Sequence, residues 1–393
     1  MKILHINGTS SGGAYNVVYN LHKNLLNKKL DSFVLLPKKK NIKNELVFNP
    51  NSLIQKIKLL LSKIIIKCFP RGNQTSTLGI FHSRQIEKII KKLKPDVIHL
   101  HWVGNEILSL NQILNYKIPI IITLHDMWFF LPYRHYALDG TKNENLFSKF
   151  VSNLLINQKK KFNAINSKFV ATSEWMKRKT IESQFYSNKI ITKIPIGIDF
   201  KYWFPVDKNY SKNFFSFENE KIIILFTAMG PNNFRKGIDI FYESLKHIKF
   251  DYKIVVSSDV EIKYKNFKNF IYLKNLNDVK KRRILYSACD ILAAPSRLEA
   301  FGLAALEASS CNLPSVVFKN TGFEEIIQNK KNGYTAEFLD VNDFTNGINW
   351  ISDKIRENPS YFNTCRELVK KKFDVNNFTD NYINLYENSK KQV

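Results

Sequence analysis

The stretch DILAAPSRLEAFGLAALEASSCNLPSVVFKNTGFEEII, residues 290–327, decides the fold class of this 393-residue chain. Residues 290–294 have the short apolar pattern of a buried strand, and Pro295 and Ser296 interrupt it. The alanine- and leucine-rich run at 302–309 then favours a helix. A strand, a break and a helix in this order are typical of an α/β domain.

The predicted helix start in this stretch is suited to an anion. Its unpaired N–H groups and the positive end of its dipole favour negative charge near Phe301, Gly302 and Leu303, and glycine lets a ligand approach the backbone. Glu299 lies in the loop before the helix. Glu307 lies about a turn and a half inside it, because an α-helix has ~3.6 residues per turn. We therefore expect both carboxylates to flank one pocket, where they suit sugar hydroxyls.

Two glutamates separated by seven residues within SRLEAFGLAALEA, followed by LPSVVF and GFEEII, resemble the donor site of retaining glycosyltransferases of family 4. The resemblance implies that Glu299 contacts hydroxyls of the transferred sugar and that Glu307 holds the ribose of the nucleotide. It places Phe301, Gly302 and Leu303 at the nucleotide diphosphate. The alternative is a pair of solvated charges on a helix face, but the adjoining Pro-Ser, Phe-Gly and buried strand favour the functional interpretation.

The first half of the chain alternates strand and helix patterns. Apolar runs predict strands at 2–6, 32–36, 96–100, 118–124, 168–171 and 190–194. With helical patterns between most of them, they indicate a doubly wound, mainly parallel sheet. Ligands of such a sheet gather beyond the carboxyl ends of its strands.

The alternation restarts after IPIGIDFKYWFPVDK, residues 194–208, which resembles the interdomain hinge of this family. The fold class is therefore α/β. We expect two Rossmann-like doubly wound domains facing across a cleft, the glycosyltransferase B architecture. The expected boundaries are 1–200 plus 376–393 for an acceptor-side domain and 201–375 for a domain that binds the nucleotide sugar. The aromatic helical pattern of the carboxyl-terminal tail predicts that it crosses back to pack on the first domain.

Gly12 and Gly13 precede an amphipathic helical pattern and resemble the amino-terminal glycine loop of the family. They are expected beside the pyrophosphate or the acceptor, although a glycine pair alone is usually a turn. The loop lacks the Gly-x-Gly-x-x-Gly fingerprint, so it does not indicate a nicotinamide cofactor. Near the end of a later strand, Trp102 follows His101, and its ring is either a stacking surface for a sugar or part of the core.

His125 follows the strand that ends at Leu124, within TLHDMWFFLPYRHY. The resemblance implies a catalytic histidine near the donor sugar and pyrophosphate, and His-Asp-Met-Trp is similar to a subgroup that builds surface polysaccharides. The alternative is a capping aspartate beside a histidine whose hydrogen bonds are satisfied. That subgroup usually has Gly-Gly-Cys before His-Tyr, whereas this chain has Pro-Tyr-Arg before His135. Acceptor recognition therefore stays open.

Arg235 and Lys236 come just before Gly237 and a helical pattern, so we expect both cations at the same edge as the glutamates, where a departing diphosphate needs them. The family normally has a further arginine where this chain has Pro231. Either Arg235 compensates or phosphate binding is weaker. In the mechanism that the resemblance implies, the leaving phosphate helps to deprotonate the incoming hydroxyl on the same face, and no residue acts as nucleophile.

Sixty Lys and Arg against thirty-four Asp and Glu give a net charge of +26. Such an excess attracts nucleic acid, anionic lipid or phosphorylated substrates, or it reflects biased composition. Residues 51–72 are basic and amphipathic, so they either lie on a bilayer or pack on the first domain with their lysines in water. No secretory signal is visible, and four scattered cysteines favour reduced thiols, so the chain is expected in the cytoplasm, with peripheral contact to the inner membrane face as the extension.

No cofactor is expected beyond a UDP- or GDP-linked sugar as co-substrate. The expected partners are that donor, a glycan or lipid-linked oligosaccharide acceptor and an anionic membrane surface, with no nucleic acid. No metal site is expected, because the sequence has no Asp-x-Asp pair and no His/Cys cluster with zinc spacing. Two alternatives remain: a nucleotide-sugar epimerase of the same fold, and a non-catalytic basic binding or scaffold protein.

Overall fold

The computed structural model describes residues 1–49, 52–69, 76–137, 145–217, 221–230, 232–261, 270–274, 276 and 278–391. The chain divides into two compact units. Unit 1 comprises Met1–Ile196 and Val375–Val393, and unit 2 comprises Gly197–Asp374. Within the described residues, no helix is both long enough and apolar enough to span a bilayer.

Unit 1 is a seven-stranded parallel sheet with helices. Its strands are β1 (Lys2–Ile6), β2 (Asp31–Leu36), β3 (Glu45–Val47), β4 (Val97–Leu100), β5 (Ile120–Leu124), β6 (Ser167–Ala171) and β7 (Ile191–Lys193). Its helices are α1 (Gly12–Asn27), α2 (Leu53–Lys67), α3 (Arg84–Leu93), α4 (Leu110–Leu114), α5 (Leu146–Lys160), α6 (Glu174–Glu182) and, from the end of the chain, α13 (Val375–Lys390). Short 3₁₀ turns lie at Trp128–Phe130 and Lys161–Ala164.

Unit 2 repeats this plan with six parallel strands. They are β8 (Ile222–Ala228), β9 (Tyr252–Ser258), β10 (Phe270–Lys274), β11 (Ile291–Ala294), β12 (Ser315–Phe318) and β13 (Gly333–Ala336). The helices are α7 (Lys208–Phe214), α8 (Ile238–Leu245), α9 (Val279–Ala288), α10 (Leu303–Ser310), α11 (Val341–Glu357) and α12 (Cys365–Lys370). Here 3₁₀ turns lie at Phe234–Lys236 and Gly322–Glu325.

The strand orders are β3-β2-β1-β4-β5-β6-β7 and β10-β9-β8-β11-β12-β13. Each order reverses direction once, between β1 and β4 in unit 1 and between β8 and β11 in unit 2. Ligands of open parallel sheets bind outside the carboxyl ends of the strands at such a reversal. Strands β4, β5, β11 and β12 are buried along their whole length, as expected for a sheet covered on both faces.

The prediction of two doubly wound parallel sheets is confirmed, and the predicted strands agree with the observed ones to within two residues. The helix predicted at 302–309 begins at Leu303 instead, because Gly302 adopts φ +101° and forms its cap. The three-residue edge strand β3 was not predicted, since its pattern is too short. Of the segment 51–72, the structure describes residues 52–69.

The helix starts at the two reversal points differ from most other helix starts in the described residues. Several helices begin at a side chain that accepts a backbone N–H, as Ser173 does from Met176 at α6. By contrast α1, α8 and α10, which follow β1, β8 and β11, begin at Ser11, Gly237 and Gly302 with no side-chain cap. At α8 the carboxylate of Asp239 accepts from its own N–H and from that of Ile240. The helix starts of α1 and α10 are therefore the better placed of the three to receive an anion.

Candidate active site

In unit 1, the loops after β1 and β4 are bonded to each other. The N–H of Trp102 donates to Asn7 Oδ1 at 3.1 Å, and the N–H of Gly8 donates to the carbonyl of Trp102 at 2.6 Å. A Cβ on Gly8 would lie 3.0 Å from the carbonyl of Gly104, so the close approach favours glycine. The two loops thus form one rim at the reversal point.

The predicted glycine loop lies on this rim. Gly12 begins α1 with φ +86°, a conformation that side chains disfavour. A Cβ built on Gly13 meets no other atom within 4 Å, so there is open space in front of the helix start. Glycine at 13 is not required by packing within the protein, and the space can admit a ligand.

Three histidines form a hydrogen-bonded chain across the sheet edge. His5 Nδ1 lies 3.1 Å from His101 Nε2, and His101 Nδ1 lies 3.0 Å from His125 Nε2. His5 and His101 are buried, whereas His125 is partly exposed. The chain therefore runs from the core of unit 1, through the strand end at β4, to the residue that the sequence assigned to the site.

His99 joins the same cluster from the interior. Its Nδ1 lies 2.7 Å from the hydroxyl of Tyr386, and its Nε2 lies 2.7 Å from the hydroxyl of Thr123, which also bonds Tyr382 at 2.6 Å. Both tyrosines belong to α13, so this helix packs against the sheet of unit 1. His5, His99 and His101 place ligand atoms within 4.8 Å of one another, a grouping that the spacing of these residues in the sequence did not indicate. These rings form hydrogen bonds to one another and to hydroxyl groups, however, and those bonds explain their arrangement without a metal.

Burial makes these histidines weak bases. It lowers the pKa of His5, His99 and His101 well below the ordinary value, with neighbouring rings adding to the effect. Burial also lowers the pKa of His125 to about 4, although Asp126 beside it acts in the opposite direction. The whole chain is therefore neutral at neutral pH, and each ring carries one N–H.

Asp126 does not bond to His125 but to His135, at 2.5 Å from carboxylate to Nδ1, while the other oxygen accepts the N–H of Trp128 at 2.9 Å. His135 Nε2 lies 3.0 Å from the hydroxyl of Thr77. Burial works to raise the pKa of Asp126, but His135 and the hydrogen bonds outweigh it and hold the pKa low. This buried pair fixes the loop after β5.

A small cavity beside this loop is lined by His101, Trp102, His125 and His135 among others. Its volume is about 10 Å³, room for at most about one water molecule. The half-buried ring of Trp102 lies 5.3 Å from that of His135 and covers Gly104, so it is partly a packing residue. A larger cavity of about 500 Å³ lies elsewhere in unit 1 and is lined by residues that precede β4 and β5. It is therefore at the opposite strand ends from the histidines.

In unit 2, a close approach of Gly237 to Pro295 places two cations beside Glu299. A Cβ on Gly237, which has φ +69°, would lie 2.0 Å from the carbonyl oxygen of Pro295, so only glycine fits. The 3₁₀ turn before it consequently lies on the loop after β11. Lys236 Nζ is 2.9 Å and Arg235 Nη1 is 3.4 Å from Glu299 Oε2. Arg235 also donates to the carbonyl of Leu298 at 2.8 Å.

The three charges stabilise one another in a largely desolvated place. Burial works to raise the pKa of Glu299, but Lys236 and Arg235 outweigh it and hold the pKa below its ordinary value. Burial and the Arg235 charge lower the pKa of Lys236, while Glu299 acts in the opposite direction. The cluster carries two positive charges and one negative charge, so it can accept an anion.

The start of α10 is shaped by two further glycines. A Cβ on Gly302 would lie 2.3 Å from the ring of Phe323, and one on Gly322 would lie 2.4 Å from the backbone of Ala300. The side chain of Phe301 is buried against Phe373, with ring centroids 5.7 Å apart. The sequence placed Phe301 at the ligand, but its side chain is part of the core, so only its backbone and those of Gly302 and Leu303 are placed to bind.

Glu307 lies in α10 and is buried. Its Oε2 accepts from Arg282 Nη1 at 3.2 Å and from the hydroxyl of Tyr286 at 3.1 Å. Burial raises the pKa of Glu307, although Arg282 and Tyr286 act to lower it. Arg282 and Tyr286 were not identified from the sequence. Their i, i+4 spacing, which places both on one side of α9, was the available signal.

The structure thus brings Arg235, Lys236 and Glu299 together and gives Glu307 a separate set of partners. In unit 1 it places His125 at the end of the histidine chain, with the glycine loop bonded to the Trp102 loop. The expectation about the arginine missing at Pro231 falls outside the described residues. The role of His5 was missed, since a histidine inside an apolar strand gives no signal of its own.

Two family descriptions match this chain, one for each unit. "Glycosyltransferase Family 4" matches residues 11–202, and "Glycosyl transferases group 1" matches residues 207–364. The chain belongs to glycosyltransferase family 4. It is a retaining glycosyltransferase that uses a nucleotide sugar, and the resemblance seen in its donor-site sequence is confirmed.

Two distant relatives of this glycosyltransferase match nearly its full length. It is 23% identical over 401 residues to an uncharacterized 41.2 kDa protein in the cps region of Klebsiella pneumoniae, covering 98% of this chain and 99% of that protein. It is 24% identical over 413 residues to the N,N'-diacetylbacillosaminyl-diphospho-undecaprenol alpha-1,3-N-acetylgalactosaminyltransferase of Campylobacter jejuni, covering 99% and 100%.

Among solved structures, Anabaena HepE in complex with UDP-glucose superposes with a TM-score of 0.71 at 16% identity, covering 99% of this chain and 100% of that one. At that identity the likeness establishes the fold, which is the glycosyltransferase B fold of two Rossmann-like domains.

Proposed function

We propose that this glycosyltransferase moves a hexose-type sugar from a UDP- or GDP-linked donor to a hydroxyl of a lipid-linked glycan acceptor, in bacterial surface-polysaccharide biosynthesis. One observation carries the donor part of the proposal. Glu299, Arg235 and Lys236 form a partly buried, net positive cluster at the reversal point of unit 2, next to a helix start with no side-chain cap. Such a place suits a sugar diphosphate, which presents hydroxyls and negative charge together.

The donor would contact both the cations and the carboxylate of this cluster. We assign the diphosphate to Arg235, Lys236 and the N–H groups near Gly302, where preorganised donors stabilise the charge that grows on the leaving group. Glu299 then accepts hydrogen bonds from hydroxyls of the transferred sugar. The cations pair with Glu299 in the structure, so the acid is already ionised and oriented for those hydroxyls.

Glu307 is assigned to the ribose. Arg282 and Tyr286 both bond to its Oε2, which orients the carboxylate and leaves Oε1 as the oxygen we assign to the ribose hydroxyls. Glu307 and Glu299 therefore bind the donor rather than attack it, and no glycosyl-enzyme intermediate is required.

The histidine chain sets which nitrogen of His125 carries the proton. His5 Nε2 is buried without a hydrogen-bond partner among the described residues. A buried N–H without a partner is rarer than an unpaired acceptor, so we place the proton of His5 on Nδ1, where it is donated to His101. His101 then donates from Nδ1 to His125 Nε2, and His125 presents Nδ1–H. On this assignment His125 donates a hydrogen bond to the donor or acceptor and does not act as a base.

The acceptor assignment is supported by relatives. The Campylobacter jejuni relative is named for a sugar acceptor on diphospho-undecaprenol, and the Klebsiella pneumoniae relative lies in a cps region. Those names support the surface-polysaccharide role and the lipid-linked acceptor that we propose for this chain, and the cytoplasmic location is a further part of the proposal.

A two-stage experiment tests the function. Isothermal titration with UDP- and GDP-linked hexoses and N-acetylhexosamines identifies the donor, and mass spectrometry then follows transfer to a polyprenyl-diphosphate sugar in detergent. We expect one donor class to bind and a product with retained anomeric configuration by NMR. Donor turnover without acceptor, yielding an epimer, would replace the proposal with the epimerase alternative. Absence of binding and of product with every donor would leave the scaffold alternative.

A further inference from the structure

Helix α2 of unit 1 has an unusual polarity. Its two buried residues are polar, namely Gln55 and Ser62, which are 8% and 3% exposed. Its opposite side carries large apolar side chains that are between 45% and 73% exposed. These are Leu53, Ile54, Ile57, Leu60, Leu61 and Ile64. In an ordinary surface helix the apolar side chains face the core and the polar ones face water.

Helix α5 repeats the inversion. Three of its four buried residues are polar, namely Ser148, Ser152 and Lys159, and the fourth is Leu155. Its exposed apolar side chains are Leu146, Phe147, Phe150 and Leu154, the first of them 87% exposed. The two exposed sets together are called the apolar face below.

The two helices adjoin. Asn145 Nδ2, at the start of α5, donates to the carbonyl of Cys68, at the end of α2, at 2.9 Å. The rings of Phe69 and Phe147 lie 6.1 Å apart. The apolar face is therefore a surface shared by two neighbouring helices, and contiguous exposed apolar surface of this kind marks an interaction site.

Hydrogen bonds hold the helices in this orientation. Gln55 Nε2 donates to the carbonyls of Asn105 and Glu106, and Ser62 donates to the carboxylate of Glu106 at 2.9 Å. Lys159 donates to three backbone carbonyls of the loop after β5. Turning either helix to bury its apolar side would break these buried bonds, so the exposure is built into the fold.

The charges around the apolar face indicate which kind of partner binds there. Neither α2 nor α5 contains an Asp or Glu, whereas α2 has exposed Lys56, Lys63 and Lys67 along one edge of its apolar side, and α5 has exposed Lys149 and Lys160. A second copy of the chain would oppose lysine to lysine. An anionic bilayer surface offers acyl chains for the apolar side chains and headgroups for the lysines.

We propose that the apolar face of α2 and α5 docks this protein on an anionic lipid bilayer, with the helices lying in the interface. The proposal rests on these two helices and not on the assigned reaction. It extends the expectation for residues 51–72, since the second helix could not be identified from the amphipathic pattern of the first.

Cys68 provides a direct probe. It is exposed, while Cys289, Cys311 and Cys365 are buried, so a maleimide dye sensitive to polarity labels the end of α2. We expect a blue shift of its emission with phosphatidylcholine vesicles that contain phosphatidylglycerol, and a smaller shift with pure phosphatidylcholine. Raising the salt concentration should reduce the shift, because the Debye length falls from ~8 Å at physiological ionic strength to ~3 Å at 1 M.

Matched variants separate the two contributions in a flotation assay with the full chain. Ile57→Asn/Leu60→Asn should abolish flotation, whereas Ile181→Asn/Ile190→Asn, which changes exposed apolar residues outside the apolar face, should float like the wild type. Lys63→Gln/Lys67→Gln should weaken binding roughly 25-fold, because each basic residue near an anionic surface contributes about fivefold. Lys88→Gln/Lys92→Gln on α3 removes the same charge elsewhere and should have little effect.

Thermal unfolding checks that every variant folds. Wild-type flotation of Ile57→Asn/Leu60→Asn, or equal effects of the two lysine pairs, would overturn the proposal. Self-association in light scattering that Ile57→Asn/Leu60→Asn removes would assign the apolar face to a second copy instead. Vesicle binding needs no sugar donor, so its failure is distinguishable from a failure of the proposed reaction.

Discussion

The two units place different chemistry at the same position of the same topology. At the β1/β4 reversal, unit 1 has neutral histidines that hydrogen bond from ring to ring. At the β8/β11 reversal, unit 2 has two cations against a carboxylate, and a second carboxylate held by Arg282. Both arrangements lower the cost of burying polar groups at the reversal point, because the rings of unit 1 are uncharged and the charges of unit 2 are paired.

The difference indicates a division of work. Paired charges can be redirected to a diphosphate, because cations that already lie together need little reorganisation when an anion arrives. A chain of neutral rings cannot neutralise a phosphate, but it can fix the direction of one N–H and so orient a hydroxyl. The comparison therefore predicts that the two units respond differently to pH and to substitution.

The largest expected effect is on stability in acid. His5, His99 and His101 have pKa values held well below the ordinary one by burial, so they bind protons in the unfolded chain before they do in the folded unit. Unit 1 should lose stability as the pH falls below about 6.5, by roughly 2 kcal/mol for each such histidine at pH 5. Unit 2 should keep its stability over this pH range. The pKa of Glu299 is lowered in the folded unit, so the stabilisation from its ionised form is lost only when the pH falls into the ordinary carboxylate range.

Hydrogen exchange by mass spectrometry at pH 7 and pH 5, corrected for the intrinsic rate, checks this. Protection should fall first in β1 and β4 and later in β8 and β11. The raised pKa of Glu307 also helps unit 2 to keep its stability in acid, because Glu307 takes up a proton more readily in the folded unit than in the unfolded chain. Earlier loss of protection in unit 2 would contradict the comparison.

The second expected effect is on turnover. Lys236→Ala removes one of the two cations beside Glu299 and should cost about 3 kcal/mol of transition-state stabilisation, or roughly 150-fold in kcat/KM. Lys246→Ala, which removes an exposed lysine paired with Glu243, is the matched control and should be neutral. Transfer should continue in excess EDTA, and added magnesium should not rescue the variant. Wild-type activity that disappears on chelation and returns with magnesium or manganese would disprove a metal-independent mechanism.

The third expected effect separates the glutamates. Glu307→Gln should weaken binding of the nucleoside diphosphate by about 2 kcal/mol, the size of a hydrogen bond to a charged group, whereas Glu299→Gln should mainly lower sugar transfer. Titration with the nucleoside diphosphate and with the whole donor distinguishes the two roles. If both variants keep wild-type affinity and turnover, neither glutamate belongs to the donor site.

The smallest expected effect concerns the histidine chain. His101→Gln should lower kcat about tenfold, a change of ~1.4 kcal/mol, with little change in KM, because His125 keeps its place but loses the bond that fixes its tautomer. His22→Gln is the matched control, since His22 is also buried in unit 1 but bonds to Ser32 and the carbonyl of Lys43. ¹⁵N chemical shifts of His125 report its tautomer directly. An unchanged tautomer in His101→Gln would refute the role of the chain.

Much of the fold was predictable because it depends on local patterns. Apolar runs of four to seven residues predict buried parallel strands wherever they are long enough, which explains why β1 and β5 were found and the short edge strand β3 was not. In unit 2, Arg235 and Lys236 are neighbours in one loop, and Glu299 lies just before one helix start. The order of these residues in the chain therefore already indicated an anion site. Lys236 and Arg235 reach it because Gly237 can approach the carbonyl of Pro295.

The sequence by itself determined the α/β class and the family, and it singled out the glutamates and cations of unit 2 as candidates, because hydrophobic period and short motifs are read from neighbouring residues. Only the tertiary structure decided the rest. The histidine chain joins His5 in β1 to His101 and His125, which follow the ends of β4 and β5. Parallel pairing brings the ring nitrogens of His5 and His101 to 3.1 Å although these residues lie 96 positions apart in the chain. The apolar face is likewise a tertiary property. An amphipathic pattern shows that a helix has two sides, but the partners of Gln55 and Ser62 determine which side faces the protein.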